Sequence, residues 1–362
     1  MKEIFQRPPL DRDLFFDNAG DIYQVITNVH PSDRIVALRK YQYFMNKPDG
    51  VFFWQSPKYP GFYVRAIDTY NVKKASSNIA KSNYARISNI LGVPMIEVPL
   101  KEIQVYLYPE QGLRAYLRNG NENEWESALN DIVTQFEGIL GIDEKSMGIT
   151  GSLLWGAQHN ASDIDVVIYG SDNARQFMTN MPELLKKSMS IHLPPPEFIE
   201  RYAKTLAKKT GLELELTRQY ISRKLYYLYY KKKFLSVSFV PHQGEISHQY
   251  ENYSFHTLMP AIVKARIVDD RFGCFYPAEY KIQVEEVRIP SKNGYLLNET
   301  EVRKNLSTLV LMEREISGYY FTGNEIEIRG MLQAVHEGSE KYFQILIGTQ
   351  ELYGQEWVRV LN

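Results

Sequence analysis

Two short stretches, Gly151-Ser152 and Asp163-Ile164-Asp165, separated by ten residues, set the strongest constraint on this chain. The second runs into Val166-Val167-Ile168-Tyr169 and stops at Gly170, the pattern of a short strand bounded by a turn residue. Successive side chains on a strand alternate between its faces, so Asp163 and Asp165 project together. The first follows Met147-Gly148-Ile149-Thr150, and a Gly-Ser turn opening a helix offers unblocked backbone N–H groups and a hydroxyl to phosphate oxygens. Paired carboxylates are the hard oxygen ligands that one or two Mg²⁺ ions need, and Mn²⁺ accepts the same donors. A phosphate cradle facing a metal site suits in-line attack of a hydroxyl on a nucleoside triphosphate, with pyrophosphate leaving.

The flanking sequence frames this stretch as part of an α+β protein. Before about residue 115 the chain reads as mostly β, with Asp21–Thr27 and Gly50–Trp54 as strand candidates, while Arg34–Leu38 fits a helix or a strand. Asn121 to Leu140 then places Trp125, Ala128, Leu129, Ile132, Val133, Phe136, Ile139 and Leu140 at helical spacing. After the aspartate strand, Asn173–Ser188 reads as a helix, and Leu193-Pro194-Pro195-Pro196 must break it. Glu197–Thr210 and Leu214–Tyr230 read as two more helices, and Phe234–Val240 alternates like a strand up to Pro241. From Phe255 the pattern returns to β, with candidates at Ala261–Val268, Tyr280–Ile289, Glu325–Val335 and Tyr342–Ile347. Several short strands with turns between them suggest a small barrel or a sandwich, the five-stranded oligonucleotide-binding barrel being one option. The expected organisation is therefore an N-terminal β-rich domain over 1–115, a core over 116–250 and a C-terminal β-barrel-like domain over 251–362.

Composition removes other classes. With 44% apolar and 23% charged residues over 362 positions, the chain can bury a sizeable core. No stretch approaches 18 uncharged apolar residues, and the start lacks an apolar run with a small-residue cleavage site, so a soluble chain is expected rather than a membrane-spanning or secreted one. The single cysteine, Cys274, excludes an internal disulfide and a thiolate zinc site; a reducing cytoplasm fits, and Cys274 reads as a buried small hydrophobe. The dinucleotide and Walker glycine patterns are both absent. The seven histidines show no metal-binding spacing, although His159 lies within reach of a phosphate at the Gly-Ser turn.

The Gly-Ser turn, the gap of ten and Asp-hydrophobic-Asp-hydrophobic resemble the signature of the DNA polymerase β-type nucleotidyltransferase superfamily. The longer run Gly148–Gly156 with Ser162–Gly170 resembles the archaeal group labelled as predicted nucleotidyltransferases, as do His30-Pro31-Ser32-Asp33-Arg34, Arg329-Gly330 and Ile347-Gly348-Thr349. The resemblance implies a nucleotidyltransferase-like mixed-sheet core between the two β domains, metal ligation by Asp163 and Asp165, and triphosphate contacts from Gly151 and Ser152. Ser162 fits either a turn cap or a phosphate contact. The superfamily usually places a third carboxylate on a later strand, whereas Phe234–Val240 offers Ser236 and Ser238 there, and Glu245 is the nearest acid able to substitute.

Net charge is −1, yet Arg201 to Lys233 carries ten basic residues against Glu213 and Glu215. Arg223, Lys224 and Lys231 are candidate contacts to the acceptor or the phosphates, and Lys231-Lys232-Lys233 beside Tyr226, Tyr227, Tyr229 and Tyr230 is either a solvated face or a stacking surface for single-stranded nucleic acid. Two functions follow as expectations: transfer of a nucleotide from a nucleoside triphosphate to RNA or another hydroxyl acceptor, or a nucleotide- or nucleic-acid-binding module without the third acid. A weaker third is an assembly protein with a vestigial core. Neither the base, the acceptor nor the oligomeric state is legible in the sequence.

Overall fold

A computed structural model of the protein describes residues 5–46, 52–67, 72–119, 122–246, 248–290 and 297–361. Expectations that fall on Gly50, Val51, Asn121 and the start of the chain lie outside the described residues, as does the Lys209 side chain. The architecture is mixed α+β with three sheets. Backbone contacts group it into two compact units, 1–69 with 96–196 and 225–247, and 70–95 with 197–224 and 248–362.

The first unit holds two sheets. One runs in the order Trp54–Gln55, Tyr63–Ala66, Arg34–Phe44, Ile22–Val25, Leu14–Asp17, Ile103–Leu107, and Pro94–Pro99 also pairs with Arg34–Phe44. The ambiguous Arg34–Leu38 is thus strand, since antiparallel neighbours on both edges supply its hydrogen bonds. The other sheet runs Ile191–His192, Tyr227–Tyr230, Lys233–Val240, Ile164–Tyr169, Met147–Ile149, with Ile164–Tyr169 and Lys233–Val240 parallel. Helices Glu124–Gln135 and Ser171–Lys187 belong with this sheet. Asn123 caps the first in a reciprocal capping box with Glu126, and the apolar face read from sequence is buried at Ala128, Leu129, Ile132 and Val133. Phe177 joins the layers, edge-on to Phe136 at 5.6 Å and to Phe239 at 5.3 Å. Burying a Phe stabilises by about 1.5–3 kcal/mol.

The N-terminal β region does not stand apart from this sheet. Leu14, Phe16, Ile22, Tyr41 and Val64 share one buried cluster with Leu154, Trp155 and Ala157, so the chain that follows the Gly-Ser turn is clamped from the N-terminal side.

The second unit is built on the order Tyr253–Phe272, Ala278–Arg288, Leu306–Leu311, Glu340–Ile347, Glu325–Glu337, Trp357–Val360. The 20-residue first strand pairs with Ala278–Arg288 over one half and with Glu325–Glu337 along the other edge, so the sheet curls on itself. Inside lie Val263, Ile267, Tyr280, Leu309, Ile328 and Ile345, all essentially buried. Two features depart from the sequence reading. Helix Leu214–Ser222 packs Leu216 and Tyr220 into this barrel-like core, so the basic helices belong with the C-terminal sheet. Tyr227–Tyr230 is a strand, not the end of a helix, because its aromatic residues pair antiparallel with Lys233–Val240. Tyr226, Tyr227 and Tyr230 are consequently buried, and the four tyrosines form no open stacking face. Among the described residues no helix is long and apolar enough to cross a membrane.

Candidate metal and nucleotide site

The short strand Met147–Ile149 runs antiparallel to Ile164–Tyr169, setting Ile149 against Val166. Thr150 continues the pairing, its N–H donating to the Asp165 carbonyl at 3.0 Å and its hydroxyl to the Arg12 carbonyl at 2.7 Å. The chain then turns at Gly151, with φ +63°, where a Cβ would lie 2.5 Å from Asp165 Oδ2. Both the left-handed backbone and the carboxylate pressed on the Cα require glycine here. The spacing seen in sequence thus has a local cause, because Gly151 makes room for Asp165.

Asp165 faces Ser236 across the parallel pair, and the Ser236 hydroxyl donates to Asp165 Oδ1. Ser238 lies two positions on, opposite Val167. The strand Lys233–Val240 therefore lies parallel beside the aspartate strand and presents a hydroxyl, not a carboxylate, to Asp165. Asp163 immediately precedes the strand; desolvation by the surrounding protein and the like charge of Asp165 push its carboxyl up to about 7. Among the described residues no lysine or arginine forms an ion pair with either aspartate. Two adjacent carboxylates without a counter-charge make a centre that gains from a cation.

The other expected residues are placed as follows. Ser152 is buried in the single turn Gly151–Leu154, with its carbonyl accepting from Ala157 N–H at 2.9 Å. Ser162 closes the preceding loop: its hydroxyl accepts from His159 N–H at 3.0 Å and its own N–H donates to the His159 carbonyl at 2.7 Å, the turn role of the two open in sequence. Lys231 is exposed at the hairpin turn before Lys233–Val240, with φ +52° and its ammonium 5.1 Å from the Tyr230 ring. Arg223 and Lys224 belong to the other unit. Arg223 is exposed over the Tyr319 ring, whereas Lys224 is buried, donates to the Arg314 carbonyl and lies 3.8 Å from Glu315. Burial pushes the Lys224 ammonium down to about 7, so Lys224 serves the core and not a phosphate.

Glu245 does not replace the third acid. It caps the helix Ser171–Lys187 by accepting from the Ser171 N–H and hydroxyl and from the His242 N–H, beyond the far end of the strand from Asp163. Among the described residues no three His, Cys, Asp or Glu side chains are grouped to hold a metal.

Lys233 was not singled out in sequence beyond its place in a basic run. Its ammonium donates to the Asn160 carbonyl at 3.0 Å, lies 3.5 Å from Glu124 and sits 4.3 Å from the Trp125 ring, tying the loop before Asp163 to the helix Glu124–Gln135. Only the pairing of Lys233–Val240 with Ile164–Tyr169 could have brought it forward.

No family model and no solved structure matches the chain. It is similar to the protein called Uncharacterized protein MJ1086 of Methanocaldococcus jannaschii, 27% identical over 221 residues that make up 61% of this chain. The matched part spans 60% of that relative's length.

Proposed function

We propose that the chain is a Mg²⁺- or Mn²⁺-dependent nucleotidyltransferase of the polymerase β type, moving a nucleotide from a nucleoside triphosphate to a hydroxyl acceptor such as RNA, with release of pyrophosphate. The observation that carries the reading is the adjacent pair Asp163 and Asp165, with like charge uncompensated and the Asp165 carboxylate seated against Gly151. The donor set fits the ion: Mg²⁺ dehydrates reluctantly and is usually held by one or two carboxylates with substrate phosphates and water completing its shell. When bound, it would neutralise triphosphate and pyrophosphate oxygens. In this reading Asp163 and Asp165 hold the ion, and the Ser236 hydroxyl fixes the Asp165 rotamer. The Gly151-Ser152 backbone faces the triphosphate, and Lys233 steadies the loop before Asp163.

A second reading, a nucleotide- or nucleic-acid-binding module with impaired catalysis, is favoured by Ser236 in the place of the third carboxylate. Calorimetry with each common ribonucleoside triphosphate and Mg²⁺, joined to an assay of pyrophosphate release, separates the two. Mg²⁺-dependent binding with turnover, both lost in Asp163→Asn/Asp165→Asn, supports the transferase. Binding without turnover across a panel of hydroxyl acceptors supports the module. No binding, or binding indifferent to the double substitution, overturns both.

A further inference from the structure

Strand pairing draws one row of side chains across the sheet that carries the aspartates. His192, on the edge strand, lies opposite Tyr229, and Tyr229 lies opposite Phe234. Leu235, the next residue, pairs in parallel with Ile164, which puts Asp163, one residue earlier, level with Phe234. Neighbouring strands are about 4.8 Å apart, so the row His192, Tyr229, Phe234, Asp163 runs roughly 15 Å from the sheet edge to the aspartates. Alternation sets it on the face that carries Asp165 and Ser236, while Ile191, Leu228 and Leu235 are buried on the other. Tyr227 and Ser236, further along their strands, are buried too, so the open part of the face is this row.

The row is aromatic and reaches solvent. The His192 ring lies at 16° to the Tyr229 ring with centroids 5.8 Å apart, and Tyr229 stands edge-on to Phe234 at 5.9 Å. His192 is exposed, and Tyr229 and Phe234 are half-buried. Both His192 ring nitrogens lie against carbonyl oxygens, of Leu193 at 3.0 Å and of Lys231 at 2.9 Å, so the ring is held by its edge. Aromatic side chains on a sheet face are platforms on which unpaired bases stack. Cations stand beside the platform. Lys231 and Lys232 form the turn between the strands of Tyr229 and Phe234, and the Lys231 N–H donates to the Ser190 carbonyl at 2.6 Å, next to the strand of His192. Both are exposed, and among the described residues neither forms an ion pair, whereas Lys233 lies 3.5 Å from Glu124. Ring faces with unpaired cations at their side complement a polyanion whose bases are free to stack. A duplex hides its base faces, and a small anion has no use for the rings.

Resting on the transferase reading above, we propose that this row takes a single-stranded nucleic acid as the acceptor. Bases stack along His192, Tyr229 and Phe234, Lys231 and Lys232 meet the phosphates, and the terminal hydroxyl lies at the Asp163 end. There the hydroxyl oxygen bonds the α-phosphorus of the nucleotide as the bond to pyrophosphate breaks, and the hydroxyl proton passes to water.

Fluorescence anisotropy of the full chain with a labelled single-stranded RNA of about ten nucleotides, without metal or nucleotide, tests the row. The single strand is expected to bind about tenfold or more tighter than the same sequence as a duplex, on the scale of one or two stacked bases. His192→Ala should weaken strand binding about fivefold or more, and His192→Phe, which keeps a ring and gives up both hydrogen bonds, should restore it. Lys231→Gln/Lys232→Gln should flatten the slope of log affinity against log salt by about 1.4, two phosphates at about 0.7 each. Both sites are exposed, and either carries the test if variants at the other fail to fold. No strand binding, a duplex bound as tightly, His192→Phe as weak as His192→Ala, or an unchanged salt slope overturns the row. Strand binding as expected without Mg²⁺-dependent binding of any nucleoside triphosphate keeps the row as a nucleic-acid site and overturns the transferase. Triphosphate binding with turnover and no strand binding does the opposite.

Discussion

The first two strands of the C-terminal sheet and the aspartate strand treat charge in opposite ways. On the first two strands of the curled C-terminal sheet every lysine and arginine has an acidic partner: Lys264 with Glu286, Arg266 with Glu325, Arg271 with Asp269, Lys281 with Glu279, and Arg288 with Glu286 and Glu327. These exposed pairs are mutually screened and each is worth little. In the other unit, Asp163 and Asp165 stand adjacent with no basic partner among the described residues, and the cost appears in the raised proton affinity of Asp163. Abundant paired charge marks a solvated surface, whereas a small uncompensated pair marks a place prepared for a ligand. A barrel-like sheet alone would suggest an oligonucleotide platform, yet the cations of its first two strands are already engaged.

The contrast can be broken most severely at the aspartates. Asp163→Asn/Asp165→Asn should abolish Mg²⁺-dependent nucleotide binding and lower transfer by about 10³-fold or more, on the scale of losing a metal's charge stabilisation; a pyrophosphate-release assay reads it. Gly151→Ala comes next. Its Cβ would meet Asp165 Oδ2 at 2.5 Å on a left-handed backbone, so a loss of about 1–3 kcal/mol in urea unfolding is expected, together with weakened nucleotide binding. Ser236→Ala removes the hydroxyl that holds Asp165 and should weaken metal-dependent binding by about tenfold with little change in fold, as loss of an outer-shell partner does.

A smaller effect concerns pH. The Asp163 carboxyl is raised from 3.8 to about 7, so between these values the folded chain binds a proton that the unfolded chain releases. Its contribution to stability is present below pH 3.8 and is lost as pH rises towards 7. Asp163→Asn should therefore melt above the wild type at pH 8 and not at pH 3.5, and Mg²⁺ should narrow the gap at pH 8 by stabilising the wild type alone. At the far end, Arg266→Gln should change stability by less than about 1 kcal/mol and leave nucleotide binding untouched.

Local pattern carried much of this into the sequence reading. The helix around Ala128–Val133, the aspartate strand, the strand ending at Val240 and the glycine turn each followed from periodicity or a turn residue, and each formed where expected. The misjudged elements depended on distant partners. Tyr227–Tyr230 contains aromatics compatible with a helix face, and only pairing with Lys233–Val240 makes it a strand. The basic run looked continuous in sequence, yet Lys224 is drawn into the C-terminal core while Lys233 braces the loop before Asp163. The row of His192, Tyr229 and Phe234 has no sequence signature at all, since it exists only once three strands pair in register.

As an uncompensated pair, Asp163 and Asp165 should take a divalent cation. Titration of Mn²⁺ into the wild type and the Asp163→Asn/Asp165→Asn variant, followed by electron paramagnetic resonance with tripolyphosphate present, tests it most directly. Depletion of the free Mn²⁺ signal by the wild-type protein, beyond that caused by tripolyphosphate alone and absent from the folded variant, is expected. Equal depletion by both proteins, or none by either, would contradict it.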